Sequence, residues 1–381
     1  MGERILFICG TLAPGRDGVG DYTRALATEL AHVGLEIALV ATHDRVAKRV
    51  ERSQEQDSGI STVRIPYHTT SPQRTGMLQQ LVDDFQPHLI SLQYVPYSYN
   101  NYGLPLSFAL DLSRLRYTGR WHVMYHELWI GHRGLLSPKD TLICWLQQRV
   151  IRVLNRNLRP AVSHTHVPEY RDKLAGTGVS ARPLPLFANI APVGPAQMKD
   201  GTAPFRLGFF SQMKMKPGVI DFITELKSWL QTESRKLEIR LIGGGKERVE
   251  QTMIALNTHF PATSVTATGF LDAEAVSSEL SALDLGLSPV QYHTIGKSGT
   301  VAAFLRHGIP VAAPWVTQDR ASFFTPELMA GVISRFDAEQ LRKATHAAAA
   351  LDTSAITVTG VATRFLTDLD LPVAAASPRP Q

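Results

Sequence analysis

Gly15-Arg16-Asp17-Gly18-Val19-Gly20-Asp21-Tyr22 stands directly after the apolar run 5–8 and opens a stretch in which Ala25, Leu26 and Leu30 recur at helical spacing. A strand that ends in a glycine-rich turn and continues into a helix is the opening unit of a βαβ fold. Glycines at such a turn let a ligand approach the backbone, and the helix start offers free amides and the positive end of a dipole to an anion. A flexible turn with Asp21 as an ordinary helix cap accounts for the same spacing. A nicotinamide fingerprint would need a third glycine where Thr23 stands, although Asp44 follows the second strand as an acidic ribose ligand does.

Outward from that turn, short apolar runs alternate with stretches of helical period. Runs at 37–40, 62–65, 88–92 and 122–125 complete one series. A second begins at 205–210 and continues through 238–242, 264–268, 283–288 and 309–312, with helical stretches at 219–230 and 249–256. The alternation predicts an α/β protein of two Rossmann-like domains, each with a parallel sheet, facing each other across a cleft. Residues 183–204 hold five prolines and no period, which marks the connection between the halves. The expected division is 1–185 for the first domain, 186–204 for the linker and 205–355 for the second. A helix within 356–371 returns toward the first domain, and 372–381 is a disordered Ala/Pro tail.

A chain of 381 residues exceeds one ordinary core, and 44% apolar with 19% charged residues is a globular balance. No apolar run is long enough to span a bilayer. Two cysteines, Cys9 and Cys144, and an N-terminus that reads as a strand point to a reducing cytoplasm without structural disulfides. The net charge of +5 lies wholly in residues 1–185, with 21 Lys and Arg against 16 Asp and Glu; the remainder is balanced, 18 against 18. Such an excess suits an anionic membrane surface, nucleic acid or an anionic acceptor, and alone selects none of them.

Four further segments carry candidate chemistry. Ile295-Gly296-Lys297-Ser298-Gly299-Thr300 opens a helical stretch and suits a diphosphate; a Walker A loop would need glycine where Gln291 stands. Ser211-Gln212-Met213-Lys214-Met215-Lys216-Pro217-Gly218 follows a strand and brings two lysines to a leaving phosphate or, equally, to solvent. Gly243-Gly244-Gly245-Lys246 marks a tight turn or close approach at another strand end. Tyr125-His126-Glu127-Leu128-Trp129-Ile130 ends a strand on a histidine and a carboxylate, where open α/β sheets place ligands. A paired core histidine is the alternative there. Zinc chemistry of the H-E-x-x-H kind fails for want of the second histidine.

In this order the pieces resemble the GT-B glycosyltransferases, specifically the large retaining family-four type of bacterial surface-polysaccharide transferases, over nearly the whole chain. Gly18-Val19-Gly20-Asp21-Tyr22 looks like that family's first glycine loop, His88 to Tyr94 its strand before the acceptor cleft, and Tyr125-His126-Glu127 its histidine-acid strand end. Asn189 lies in what looks like its linker, and Leu207-Gly208 with Lys216-Pro217-Gly218 resembles its donor-side loop. Leu241 to Gly245 resembles its next strand, Thr268-Gly269-Phe270-Leu271 the turn at the nucleotide base, and Gly299 to Gly308 with Pro310 its last phosphate-binding helix. Two departures stand out: Ser211 and Gln212 occupy the place of the usual arginine, and Ile295 and Ala303 that of a glutamate pair.

The resemblance implies transfer of a sugar from a nucleotide-diphosphate donor to a glycan or lipid-linked hydroxyl, with retention and without metal or cofactor. It implies diphosphate contacts at Gly18, Gly20, Lys214, Lys216, Gly296, Lys297, Ser298, Gly299 and Thr300, and a base region at Gly243, Gly244, Gly269, Phe270 and Leu271. His126 would touch the donor sugar, with Glu127 or Asp21 as general base. A GT-B sugar-nucleotide epimerase, a nicotinamide dehydrogenase and a degenerate partner subunit are the alternatives. Arg149, Arg152, Arg156 and Arg159 fall on one helical face beside Leu142, Trp145 and Val150, a pattern for peripheral contact with anionic lipid at the inner membrane face or for an ordinary packed helix.

Overall fold

A computed structural model describes residues 3–15, 17–55, 58–130, 137–194, 203–318, 320 and 322–372. The expected tail past 372 and residues 195–202 of the expected linker lie outside the described residues. The chain divides into two compact units, Met1–Leu184 with Val358–Gln381, and Pro185–Thr357.

The first unit is an eight-stranded sheet of β1 (Arg4–Cys9), β2 (Glu36–Asp44), β3 (Glu51–Gln54), β4 (Ser61–Pro66), β5 (Leu89–Tyr94), β6 (Arg120–Tyr125), β7 (Val162–Thr165) and β8 (Arg182–Pro183), in the order β3-β4-β2-β1-β5-β6-β7-β8. Only β3 is antiparallel, lying on the outer edge of β4. Chain order therefore reverses between β1 and β5, the switch point of a doubly wound sheet. Side chains alternate between faces. Ile90, Leu92, Tyr94, Trp121, Val123 and Tyr125 project into one apolar cluster. The intervening Ser91, Gln93, His122 and His126 are buried on the other face. There the helix Val358–Asp368 brings Phe365 against Phe7 and His122. It also lies beside the helix Gly18–His32, where the Thr359 hydroxyl donates to Glu29 Oε1 at 2.6 Å.

The second unit contains β9 (Phe205–Phe210), β10 (Leu237–Ile242), β11 (Ser264–Gly269), β12 (Leu285–Leu287), β13 (Val311–Ala312) and β14 (Val332–Ile333), all parallel, in the order β11-β10-β9-β12-β13-β14. Its reversal falls between β9 and β12. One core sets Leu207, Phe209, Ile239 and Leu241 against Phe222, Ile223 and Leu226 of the helix Val219–Thr232. The other sets Phe210, Ile242 and Val311 against Val301, Phe304 and Leu305 of the helix Gly299–Arg306. Each side chain so buried contributes about 1.5–3 kcal/mol of transfer free energy. Both sheets are those of an α/β protein with two Rossmann-like units.

Candidate functional site

In the second unit the loops 211–218, 243–245, 269–271 and 295–298 follow the carboxyl ends of β9, β10, β11 and β12, the rim where such sheets bind ligands. The loop after β9 begins at Ser211 in left-handed backbone (φ 58°) and ends at Gly218 (φ 82°), the residue before the helix Val219–Thr232. A Cβ at Gly218 would stand 2.3 Å from the Pro314 carbonyl oxygen, so only glycine lets this loop lie against the segment after β13. The next residue of that segment, Trp315, receives Lys216, whose Nζ lies 4.8 Å from the ring centroid. Trp315 also bridges to Gln291, and its carbonyl accepts from Tyr292 N at 3.0 Å. One tryptophan thus ties the Lys216 loop to the 3-10 turn Tyr292–Lys297 that carries Lys297.

Lys214 is exposed on the same loop. Partial burial, then the charges of Arg248 and Lys216, push its ammonium below the usual value. Arg248, unremarked in the sequence, starts the helix after Gly243, Gly244 and Gly245 and makes a third cation on this rim. Gly243 (φ 66°) donates its N–H to Thr268 Oγ1 at 3.1 Å, which draws the turn after β10 to Gly269 and Phe270. Phe270 is 97% exposed, a full aromatic face offered to solvent, and Leu271 is half-buried.

Ser298 caps the helix Gly299–Arg306, its Oγ taking the Val301 amide and pairing with Thr300 Oγ1 at 2.9 Å. Ile295 and Ala303, at the places of the family's glutamates, are fully buried in the core. Neither side chain reaches the surface.

In the first unit Asp17, not Asp21, caps the helix Gly18–His32, its Oδ2 accepting from Gly20 N at 2.9 Å. Gly20 is required because a Cβ there would meet the Thr11 carbonyl oxygen at 2.6 Å, whereas Gly18 faces open space. Asp21 is exposed in the first turn and accepts from Gly15 N at 3.1 Å. Burial raises the Asp17 carboxyl above its usual value; the Gly20 amide opposes this, and the nearby charges of Asp21 and Glu127 add to the rise. Three carboxylates therefore gather where β1 and β6 end. Glu127 is exposed, but His126 is only 5% exposed and both its ring nitrogens are taken: Nε2 meets Gln93 Oε1 at 2.8 Å and Nδ1 meets His166 Nε2 at 2.9 Å. Asp44 is no ribose ligand. It is buried against Arg64 and accepts from the amides of Leu12, Val46 and Ala47.

The helix Pro138–Leu158 buries Gln147, Val150, Ile151, Leu154 and Leu158, leaving Leu142 56% and Trp145 48% exposed with Arg149 stacked over the Trp145 ring. Arg159 follows the last helical residue in left-handed backbone (φ 45°), so the shared basic face comprises Arg149, Arg152 and Arg156.

Two doubly wound units, with cationic glycine-lined loops on the second, define the GT-B architecture. No family model and no curated protein matches the chain. Solved structures do match, over nearly the full length of both partners. A glycosyltransferase from Rickettsia africae superposes with a TM-score of 0.64 at 10% identity, covering 96% of this chain and 97% of that one. Anabaena HepE in complex with UDP and glucose gives 0.61 at 13% identity, covering 97% and 99%. Sucrose-phosphate synthase from Thermosynechococcus elongatus gives 0.59 at 18%, covering 96% and 94%. The fold is that of GT-B glycosyltransferases.

Proposed function

We propose that the protein transfers a sugar from a nucleotide-diphosphate donor to an acceptor hydroxyl. The observation that carries this reading is the rim of the second unit, where Lys214, Lys216 and Arg248 gather beside Gly243 and Gly244 and Trp315 joins them to the Lys297 turn. Breaking a sugar–phosphate bond leaves negative charge on the diphosphate, and fixed cations with a helix start are suited to that charge. The exposed Phe270 ring offers a stacking face for the base. With three cations available the reaction is proposed to need no divalent metal, and activity is expected to survive chelator. Retention follows from the resemblance, while the buried Ile295 and Ala303 leave donor-sugar and ribose contacts to other groups.

Lys216→Ala and Lys297→Ala are each expected to weaken binding of a nucleoside diphosphate about 10-fold in calorimetry, equivalent to about 1.4 kcal/mol. Unchanged affinity in both would overturn the assignment. In the first unit Glu127 is the proposed general base, being the exposed carboxylate at a strand end. The acceptor is proposed to be a glycan or lipid-linked hydroxyl of surface polysaccharide or glycolipid. Leu142, Trp145 and Arg149 give the protein a means of resting on anionic lipid. Sedimentation with anionic but not neutral liposomes is expected, and Trp145→Ala with Arg149→Ala should abolish it; binding that ignores lipid charge refutes the contact.

A further inference from the structure

Between the sheet of the first unit and the helix Val358–Asp368, six side chains form one uninterrupted hydrogen-bonded line. The Leu184 carbonyl meets His166 Nδ1 at 3.0 Å, and His166 Nε2 meets His126 Nδ1 at 2.9 Å. His126 Nε2 meets Gln93 Oε1 at 2.8 Å, and Gln93 Nε2 meets Ser91 Oγ at 2.8 Å. Ser91 Oγ meets His122 Nδ1 at 2.8 Å, His122 Nε2 meets His164 Nδ1 at 3.0 Å, and His164 Nε2 meets Asp368 Oδ2 at 3.2 Å. All six are buried. Both ends are acceptors: a backbone carbonyl, and a carboxylate that also receives Arg364 Nε at 2.6 Å and faces Arg182 at 3.5 Å.

Each hydrogen bond needs one proton. A neutral imidazole, hydroxyl or amide passing along such a line contributes one proton and accepts one. Six neutral groups supply six protons to the seven bonds between two acceptors. The neutral line is one proton short, and an unmade bond at this depth costs the full desolvation of the orphaned atoms.

We propose that the line holds one proton beyond its neutral complement, and that this proton resides on the His126–His166 pair, making the pair a buried cation behind the end of β6. Gln93 decides the location. With its oxygen toward His126 and its amide nitrogen toward Ser91, the donors run Gln93 to Ser91, Ser91 to His122, His122 to His164 and His164 to Asp368, so those two imidazoles are satisfied as neutral rings. Burial first, and for His122 the neighbouring His164, also disfavours their charged forms; His164 is lowered to about 4 despite its bond to Asp368. His126 must then donate through Nε2 and His166 through Nδ1, with a third proton between the rings: three protons on two imidazoles.

The groups around the pair fit a positive charge. Gln93 and the Leu184 carbonyl present oxygens to the N–H groups of the pair. Glu127 follows His126 directly, and its charge with that of Asp21 bears on Asp17 at the same rim. The cations Arg182 and Arg364 sit at the far end, on Asp368. A fixed imidazolium there favours an anionic oxygen, such as a phosphate or a deprotonating hydroxyl, at the strand ends of this unit. His166 becomes a positioning residue that keeps His126 charged. The inference does not depend on the transferase reading.

The test is ¹⁵N spectroscopy of histidine-labelled full-length protein at neutral pH, with the pair's signals located by their loss in His166→Gln. The wild type should show the signature of one imidazolium shared between His126 and His166 and neutral rings at His122 and His164. Two substitutions remove the shortage without touching the pair. Ser91→Ala frees Gln93 to reverse and donate to His126, and Asp368→Asn supplies a donor at the far end; either should return both rings to the neutral signature. Four neutral rings in the wild type, an imidazolium at His164 instead, or a signature that persists in both variants would each overturn the proposal.

Discussion

Gly218 shows what a single residue does here. Its positive φ and the 2.3 Å separation from the Pro314 oxygen that any Cβ would create leave no room for a side chain. Gly218→Ala is expected to destabilise the protein by about 2 kcal/mol or more and lower its melting temperature by several degrees, with loss of nucleotide affinity as the lysine loop lifts from Trp315. Gly243→Ala, with open space around it, is expected to cost only its backbone strain, about 1 kcal/mol. Asp44 carries a pH dependence. Burial alone would raise its carboxyl, but Arg64 and the amides of Ala47, Leu12 and Val46 outweigh this and hold it well below the ordinary carboxylate range. Its contribution is therefore complete above the unfolded value of about 4 and lost as pH falls through and below it. Denaturant titrations from neutral to acid should show that loss, and Asp44→Asn should lower stability at neutral pH while flattening the acid limb. The alternation of polar residues along β5, β6 and β7 was visible in the sequence as Ser91 with Gln93, His122 with His126 and His164 with His166. Its meaning was not, because period two says which side chains share a face and nothing of which strands are neighbours.

At the scale of elements, the first strand, turn and helix could be read directly, since apolar period and glycines are local signals. The cap was misplaced by four residues. Asp17 and Asp21 are equivalent by type, and only the backbone conformation of Asp17 (φ −143°) distinguishes the cap from the first turn. Asp17→Ala should cost about 1 kcal/mol in chemical denaturation, and Asp21→Ala much less. Strands β3, β7 and β8 escaped notice because two are edge pieces and β7 has only four residues with three polar side chains. Arg248 was equally hidden: its place beside Lys214 arises from pairing of β9 with β10, a contact between segments far apart in sequence. Trp315 was missed for the same reason.

At the scale of the whole molecule, the first unit is not one stretch of chain. Residues 1–184 lack the helix Val358–Asp368, whose Phe365 covers Phe7 and His122 and whose Asp368 closes the histidine line. A fragment ending at 184 is expected to expose that face and lose cooperative unfolding, whereas residues 185–357, continuous and bearing both of their apolar clusters, should unfold in one transition. The same discontinuity sets a clock during synthesis. At about 5–20 residues per second the ribosome needs on the order of 10–35 s to pass from Leu184 to Val358. For that interval Phe7, His122 and His164 lack the helix that covers them, a window in which a chaperone holding the N-terminal portion of the nascent polypeptide would govern yield.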